Sequence, residues 1–308
     1  MKIEVVQGEL QSFQADTLIV NLFSGVEQPG GGTGAVDAAL GGQIGDLIRQ
    51  GDVTGKAGEL TVLYPRGAIG AGRVIVVGLG KAAEFDAEAA RRAAGKAALR
   101  ARELGSDTIA TIVHGAGAGG LDAAAAAAAT AEGTLLALYR YDAPREKKDE
   151  ARQPERVVLV ENDAARVPAM QEAVALAAAV SEGVFLARDL VNGPSNIVTP
   201  EYMAASAREL ADTYGFSITV GDRSWAEEQQ MGAFLGVSAG TAREPAFIVL
   251  EHNPTRSEEA PVVLVGKGLT FDTGGISLKP AANMQNMISD MGGAAAVLGT
   301  MKAVGEAG

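Results

Sequence analysis

The sequence predicts an α/β protein with two domains, and three observations lead to this prediction. Short apolar runs alternate with helix-like stretches through the first half of the chain, which is typical of a sheet covered by helices. The chain has 308 residues, enough for two domains with sizeable cores. A charged stretch poor in aliphatic residues, 142–156, interrupts the pattern and is predicted to be a surface connection. We therefore place the domains at residues 1–160 and 161–308.

The elements of the first domain follow from hydrophobic periodicity. Strands are predicted where short runs are rich in Val, Ile and Leu, and helices where Ala and Leu recur at helical spacing. The predicted strands are Ile3–Val6, Thr17–Leu22, Leu60–Tyr64, Val74–Val77, Thr108–Val113 and Val157–Val160. The predicted helices are Val36–Arg49, Asp86–Glu103, Leu121–Tyr139 and Val167–Asp189.

The last of these helices, at about 165–190, is predicted to link the two domains. The Asn-Gly-Pro sequence at 192–194 ends it, because Gly and Pro stop helices. A new α/β pattern follows. Its predicted elements are a helix from Glu201, a strand at Ser217–Val220, a helix around Trp225, strands at Ala246–Leu250 and Val262–Val265, and a helix at Gly292–Val304.

Composition excludes several classes of protein. The net charge of −12 argues against nucleic acid as the main partner, since phosphate backbones attract clustered Lys and Arg. The chain has no cysteine and two histidines, which excludes disulfides, thiolate metal sites and a His-rich zinc site. We find neither a signal peptide nor an apolar run that could span a bilayer, so we expect a cytoplasmic protein without a membrane partner.

The most informative segment is Leu264–Pro280, an apolar run that leads into a Gly-rich loop. The loop carries Lys267, Asp272 and Lys279, and Asp290 follows just before Met-Gly-Gly. Aspartates are hard oxygen ligands, and a lysine can bind a metal as the neutral amine where burial and divalent charge remove its proton. The plainer alternatives are a surface Lys–Asp pair, a solvated Lys279 and an Asp290 that caps the next helix.

Three blocks of sequence resemble the leucyl aminopeptidases, the cytosol aminopeptidase family. They are 265–280 with 290–293, 188–196 with Thr199-Pro200, and 235–240 leading to 247–251. The resemblance implies an N-terminal macro-domain-like α/β domain, followed by an α/β metallopeptidase catalytic domain.

The resemblance also implies a chemistry. Lys267, Asp272 and Asp290 would hold two divalent ions (Mn²⁺ or Zn²⁺), and Lys279 would assist catalysis as an electrophile. The activity would be release of N-terminal, leucine-like residues from peptide substrates by a homohexamer, with bicarbonate as a possible further cofactor.

One part of the family pattern does not occur in this sequence. An Asn-Thr-Asp-Ala-Glu-Gly-Arg segment supplies the family's remaining two carboxylate ligands and a catalytic arginine, and the nearest similar stretch here is Asp86–Arg91. We interpret that stretch as a solvated helix face. We therefore expect an incomplete catalytic domain in this chain, with little or no activity of its own.

The Gly-rich segment Gly30–Asp37 allows a different function. Loops that open a helix can bind phosphate through backbone amides, and Gly30–Gly34 resembles the loop with which macro domains bind ADP-ribose. We favour a structural turn, because the loop has no strong charge partner. The alternative function is a non-catalytic α/β module that binds such a nucleotide or serves only in assembly.

Overall fold

A computed structural model describes residues 1–142, 152–253 and 260–308. The chain divides into two compact units. Unit 1 holds residues 1–140 and the part of the chain that ends at Ser181; unit 2 holds Glu182–Gly308 with Tyr141 and Asp142. The division falls within the long helix that was predicted as a link, while the predicted domain limits of 1–160 and 161–308 stay a prediction. Most of the predicted surface connection at 142–156 lies outside the described residues.

A six-stranded sheet forms the centre of unit 1, and each predicted strand of this part is present. Its strands are β1 (Lys2–Gln7), β2 (Ala15–Phe23), β3 (Leu60–Leu63), β4 (Ala71–Gly80), β5 (Thr108–Thr111) and β6 (Arg156–Glu161). Their order is β1-β6-β5-β2-β4-β3, with β3 antiparallel to β4 and the other pairs parallel. The α/β prediction is confirmed.

Helices cover both faces of this sheet. They are α1 (Gly31–Ala39), α2 (Gln43–Gln50), α3 (Ala87–Glu103), α4 (Ala123–Leu138) and the first part of α5 (Val167–Asn192). Alternate residues of β4 point to opposite faces, so Ile75 and Val77 join one core cluster and Val74 and Val76 the other. Two covered faces explain why the middle of β4, Val74–Val77, is apolar at consecutive positions.

The predicted helix Val36–Arg49 is wrong as a single element, because α1 and α2 are separate. Gly41 and Gly42 adopt φ angles of 68° and 85°, which place both in the left-handed region and turn the chain. The Asp37 carboxylate then accepts hydrogen bonds from the backbone amides of Ile44 (2.7 Å) and Gly45 (3.1 Å), at the start of α2. A glycine pair and a capping carboxylate therefore divide the predicted helix.

Unit 2 contains shorter elements. They are the end of α5, α6 (Pro200–Tyr214), β7 (Ser217–Gly221), α7 (Arg223–Glu228), α8 (Gly232–Ser238), β8 (Phe247–Glu251), a 3₁₀ helix (Met284–Met291) and α9 (Gly292–Ala307). β7 and β8 form an antiparallel two-stranded sheet. Helices α5 and α9 approach closely, since a Cβ on Gly183 would lie 2.3 Å from the carbonyl oxygen of Gly299. This contact holds the middle of α9 against α5.

The prediction of a buried strand at Val262–Val265 is wrong. The segment pairs with no strand in the part of the chain that the structure describes, and its residues are 90%, 71%, 49% and 91% exposed in chain order. Strand propensity reflects packing on a pleated, half-buried surface, and it produces a strand only where a neighbouring strand accepts the backbone hydrogen bonds. Within the described residues, the two-stranded sheet of unit 2 consists of β7 and β8 alone. Val262–Val265 therefore has the composition of a strand without a partner.

No helix among the described residues is long and apolar enough to cross a membrane.

Candidate functional site

Two glycines bring the chain at Lys267 against the beginning of α9. A Cβ on Gly266 would lie 2.4 Å from the carbonyl oxygen of Gly293, and one on Gly293 would lie 2.7 Å from the backbone nitrogen of Lys267. The amide of Ala294 donates to the Lys267 carbonyl oxygen at 2.8 Å. Glycine is thus required on both sides of this contact, and the contact places Lys267 beside the residues that precede α9.

The Lys267 ammonium pairs with the carboxylate of Asp290. Nζ lies 2.5 Å from Oδ2, with the lysine side chain 59% exposed and the aspartate side chain 21% exposed. Asp290 does not cap α9: the N-cap residue is Met291, and no side chain caps that end. The capping interpretation of Asp290 is therefore wrong, and its carboxylate faces Lys267 instead.

Asp272 and Lys279 form the second pair, across the Gly-rich loop. Nζ of Lys279 lies 2.7 Å from Oδ2 of Asp272, and the amide of Gly274 donates to Oδ1 at 2.8 Å. Gly274 and Gly275 have φ angles of 91° and 69°, which only glycine adopts readily. The loop closes where the Lys279 amide donates to the Thr273 carbonyl oxygen at 2.9 Å. The turn thus folds Lys279 back onto Asp272.

Electrostatics connect these residues. The hydrogen bond from Lys279 lowers the pKa of Asp272 below its usual value, and the Gly274 amide and the charge of Lys267 act in the same direction. Asp272 is therefore held as a carboxylate. Two ammonium groups and two carboxylates balance, so the four side chains carry no net charge.

The four predicted side chains form two Lys–Asp pairs, Lys267–Asp290 and Lys279–Asp272. Among the residues that the structure describes, no group of three or more His, Cys, Asp or Glu side chains is arranged to hold a metal ion. Two carboxylates and a potential amine ligand suit a hard or borderline divalent ion, but they are too few for two ions. Metal binding by Lys267, Asp272 and Asp290, and catalysis by Lys279, stay predictions.

Met287 is a contact that the sequence analysis missed. Its Sδ lies 3.0 Å from Nζ of Lys279, so the ammonium meets a carboxylate and a polarisable thioether. Its position three residues before Asp290 was the available signal, but a lone methionine is more often a core residue. The glycine contact between Gly266 and Gly293 was also missed, because it joins two segments separated along the chain.

The Gly-rich segment of unit 1 has structural roles. Gly30 precedes α1, a Cβ on Gly34 would lie 2.6 Å from the Pro29 carbonyl oxygen, and Thr33 Oγ1 donates to the Asn21 carbonyl oxygen at 2.8 Å. At the end of the segment, Asp37 caps α2. Nucleotide binding by Gly30–Gly34 stays a prediction.

The Asp86–Arg91 stretch lies at the exposed start of α3. The Asp86 carboxylate accepts from the amide of Ala89 at 2.8 Å, which caps the helix. Glu88 pairs with Arg92 at 2.8 Å, one turn further along. Asp86 and Glu88 thus lie on a solvated helix face, as the sequence analysis predicted, whereas Arg91 pairs with Glu132 of α4.

Comparison with known families identifies the chain. The family model for the N-terminal domain of the cytosol aminopeptidase family matches residues 19–148, and the one for the family's catalytic domain matches residues 185–308. The chain belongs to the cytosol aminopeptidase family. The catalytic-domain match includes Lys267, Asp272, Lys279 and Asp290.

Curated relatives of this cytosol aminopeptidase family member are longer than the chain. A probable cytosol aminopeptidase of Ralstonia nicotianae is 40% identical over 300 residues, which are 96% of this chain and 59% of the relative. A probable cytosol aminopeptidase of Roseiflexus castenholzii is 38% identical over 311 residues, which cover 99% of this chain and 60% of the relative. The chain thus spans about three fifths of the length of these relatives.

Solved structures show the same fold. A mutant of tomato leucine aminopeptidase superposes with a TM-score of 0.81 at 29% identity, over 99% of this chain and 59% of the other. The bottromycin maturation enzyme BotP in complex with Mn superposes with a TM-score of 0.72 at 32% identity, over 94% of this chain and 56% of BotP. The likeness therefore extends over both units.

Proposed function

We propose that the protein acts in metal-dependent aminopeptidase chemistry, releasing N-terminal, leucine-like residues from peptides. The observation that carries this proposal is the pairing of Lys267 with Asp290 and of Lys279 with Asp272, inside the segment that matches the family's catalytic domain. The plainer alternative, unrelated surface ion pairs, does not account for a loop built from close glycine contacts around both pairs.

Each side chain has a role in the proposed chemistry. Asp272 and Asp290 supply carboxylate oxygens, and Lys267 supplies an amine once an adjacent divalent charge removes its proton. Divalent ions, when bound, would supply Lewis acidity and an activated water. Lys279 keeps its proton and stabilises the oxyanion that develops on the attacked peptide carbonyl.

The charge balance indicates what the site requires in addition. With Lys267 as a neutral amine, the protonated Lys279 still offsets one of the two aspartates, so two divalent ions would need further carboxylates close by. The unmatched two fifths of the relatives' length is the source that we propose for them. The described site residues alone should therefore give little or no turnover.

Finer features of the proposal follow from the family resemblance. We infer manganese or zinc as the metals, and the BotP structure that superposes on this chain is a complex with Mn. A bicarbonate ion at the site, a homohexamer and a cytoplasmic location belong to the same proposal.

Calorimetric titration of the chain with MnCl₂ and with ADP-ribose separates this function from the alternative. We expect weak Mn²⁺ binding that falls about tenfold or more in Asp272→Asn, because a ligand carboxylate is lost. Asp222→Asn is the matched control, since Asp222 caps α7 in the same unit. ADP-ribose binding together with Mn²⁺ binding that Asp272→Asn leaves unchanged would favour the nucleotide-binding module.

A leucyl-amide assay tests the chemistry itself. In a full-length protein that contains this sequence, Lys279→Ala should lower kcat about a hundredfold or more with metal content unchanged, while Lys267→Ala should lower metal content. Lys302→Ala, which removes a surface pair with Glu182, is the control. Near-normal turnover in Lys279→Ala would remove the electrophilic role.

A further inference from the structure

Sulfur chemistry in this chain belongs to methionine, because the sequence has eight methionines and no cysteine. Among them, Met170 and Met291 are fully buried and Met1 is 52% exposed. Met287 lies between these extremes, since it is half-buried in the 3₁₀ helix that precedes α9. Its Sδ lies 3.0 Å from Nζ of Lys279, so this thioether is both partly open to solvent and next to an ammonium group.

The Lys279 ammonium has three N–H donors, and the structure shows acceptors for two of them. One acceptor is Oδ2 of Asp272 at 2.7 Å, and the other is Sδ of Met287. Since the Lys279 side chain is 35% exposed, a molecule from solvent can accept the third N–H. The thioether is a weak acceptor, and this contact uses only one of its two lone pairs. A nucleophilic sulfur and a proton donor therefore stand beside the same solvent molecule.

We propose that Met287 is a site of reversible oxidation by hydrogen peroxide, with Lys279 as the proton donor. The free lone pair of sulfur attacks one peroxide oxygen and the O–O bond breaks, so sulfur loses two electrons and the peroxide gains them. The departing hydroxide takes a proton from Lys279 and leaves as water. The lysine amine then takes the proton of the hydroxyl group on sulfur, which leaves the sulfoxide. One thioether and one peroxide thus give one sulfoxide and one water, and Lys279 regains its proton.

Oxidation would change the partners of Lys279. The sulfoxide oxygen forms on Met287 beside Nζ and is a much stronger acceptor than thioether sulfur, so the ammonium would lie between two oxygens, this one and Oδ2 of Asp272. An ammonium held in this way stabilises an oxyanion on a substrate less well. The resulting loss of activity rests on the proposed function, whereas the oxidation itself does not.

Met284 provides an internal comparison for Met287. It lies three residues earlier in the same 3₁₀ helix and is also half-buried, but the thioether contact of Lys279 is with Met287. Exposure alone predicts similar oxidation rates for the two methionines, whereas proton donation predicts a faster reaction at Met287. Met291, four residues beyond Met287 and fully buried, should stay unmodified.

Limited oxidation of the 308-residue chain tests the proposal. Hydrogen peroxide is added at neutral pH, and peptide mass spectrometry gives the rate of sulfoxide formation at each methionine. We expect Met287 to react about tenfold or more faster than Met284, and Lys279→Gln to bring the two rates together, because a side-chain amide supplies no proton. Lys302→Gln, which removes a lysine of α9 that pairs with Glu182, is the matched control and should leave the ratio unchanged. Methionine sulfoxide reductases should restore the thioether.

The outcomes separate this site from ordinary oxidation and from the proposed function. Equal rates at Met287 and Met284 in the unsubstituted chain overturn the proposal, and so does a ratio that Lys279→Gln leaves unchanged or that Lys302→Gln lowers equally. Oxidation of Met291 as fast as Met287 overturns it too, because the fold would then select no site. A sulfoxide that the reductases leave in place overturns the reversibility. Selective oxidation of Met287 together with failure of the leucyl-amide assay supports the site and counts against the proposed function alone.

Discussion

The two units use strands in different ways. In unit 1, β4 has a neighbour on each side and helices over both faces, and Val74, Ile75 and Val77 are fully buried. In unit 2, β8 pairs with β7 alone among the described strands, and β8 contains no buried residue. The apolar run that follows it, Val262–Val265, is exposed. The difference shows that an aliphatic run stabilises a fold only when layers and neighbours surround it.

The largest difference in the free energy of unfolding is expected between alanine substitutions of two isoleucines, one buried in unit 1 and one exposed in unit 2. Ile75 is fully buried in β4 and Ile276 is fully exposed in the site loop. We expect Ile75→Ala to lower the free energy of unfolding by about 3–4 kcal/mol, because it loses apolar burial and leaves a cavity. Ile276→Ala should change it by no more than about 0.5 kcal/mol. Urea denaturation measures both, and a substantial loss in Ile276→Ala would show that the site loop packs more tightly than described.

The two histidines provide a second matched pair. His114 is buried in unit 1, where Nδ1 accepts from the Asn21 amide at 3.1 Å, and burial lowers its pKa to about 4. In the unfolded chain, the His114 imidazole binds a proton below about pH 6.5. In the folded chain, it binds that proton only below about pH 4. The contribution of neutral His114 to stability is therefore complete above pH 6.5 and is lost as the pH falls towards 4, by about 3 kcal/mol.

Urea unfolding at several pH values measures this effect. His114→Gln keeps an acceptor for Asn21 and should remove that part of the acid destabilisation. His252→Gln, at an exposed position in unit 2, should retain it. If His114→Gln has the same pH dependence as the unsubstituted chain, burial does not lower the pKa of His114 in the folded state.

The smallest expected difference in stability is between removing the N-cap of a helix in unit 1 and removing the N-cap of a helix in unit 2. Asp86 caps the 17-residue α3, and Asp222 caps the six-residue α7 by accepting from the Trp225 amide at 2.9 Å. We expect Asp86→Ala to lower the unfolding free energy of unit 1 by about 1 kcal/mol, because α3 packs on α4 and the sheet.

Asp222→Ala should act locally, accelerating hydrogen exchange in α7 without changing exchange in the strands of unit 1. Exchange measured by mass spectrometry distinguishes the two effects. Faster exchange across both units after Asp222→Ala would mean that the units unfold together.

The sequence by itself determined the fold class, the strands of unit 1 and the residues of the candidate site. These depend on local information: runs of aliphatic residues, helical spacing, and a Lys-Asp-Lys-Asp motif with a family resemblance. The same local information predicted one helix at Val36–Arg49 and one strand at Val262–Val265, and both were wrong.

Only the tertiary structure decided which neighbour each segment meets. Gly41 and Gly42 turn the chain so that Asp37 caps a second helix, and no described strand reaches Val262–Val265. The pairing of Lys267 with Asp290 joins residues 23 positions apart, across the close contact between Gly266 and Gly293. A residue pattern encodes which face is apolar, but hydrogen bonds and ion pairs form only with groups that folding brings within reach.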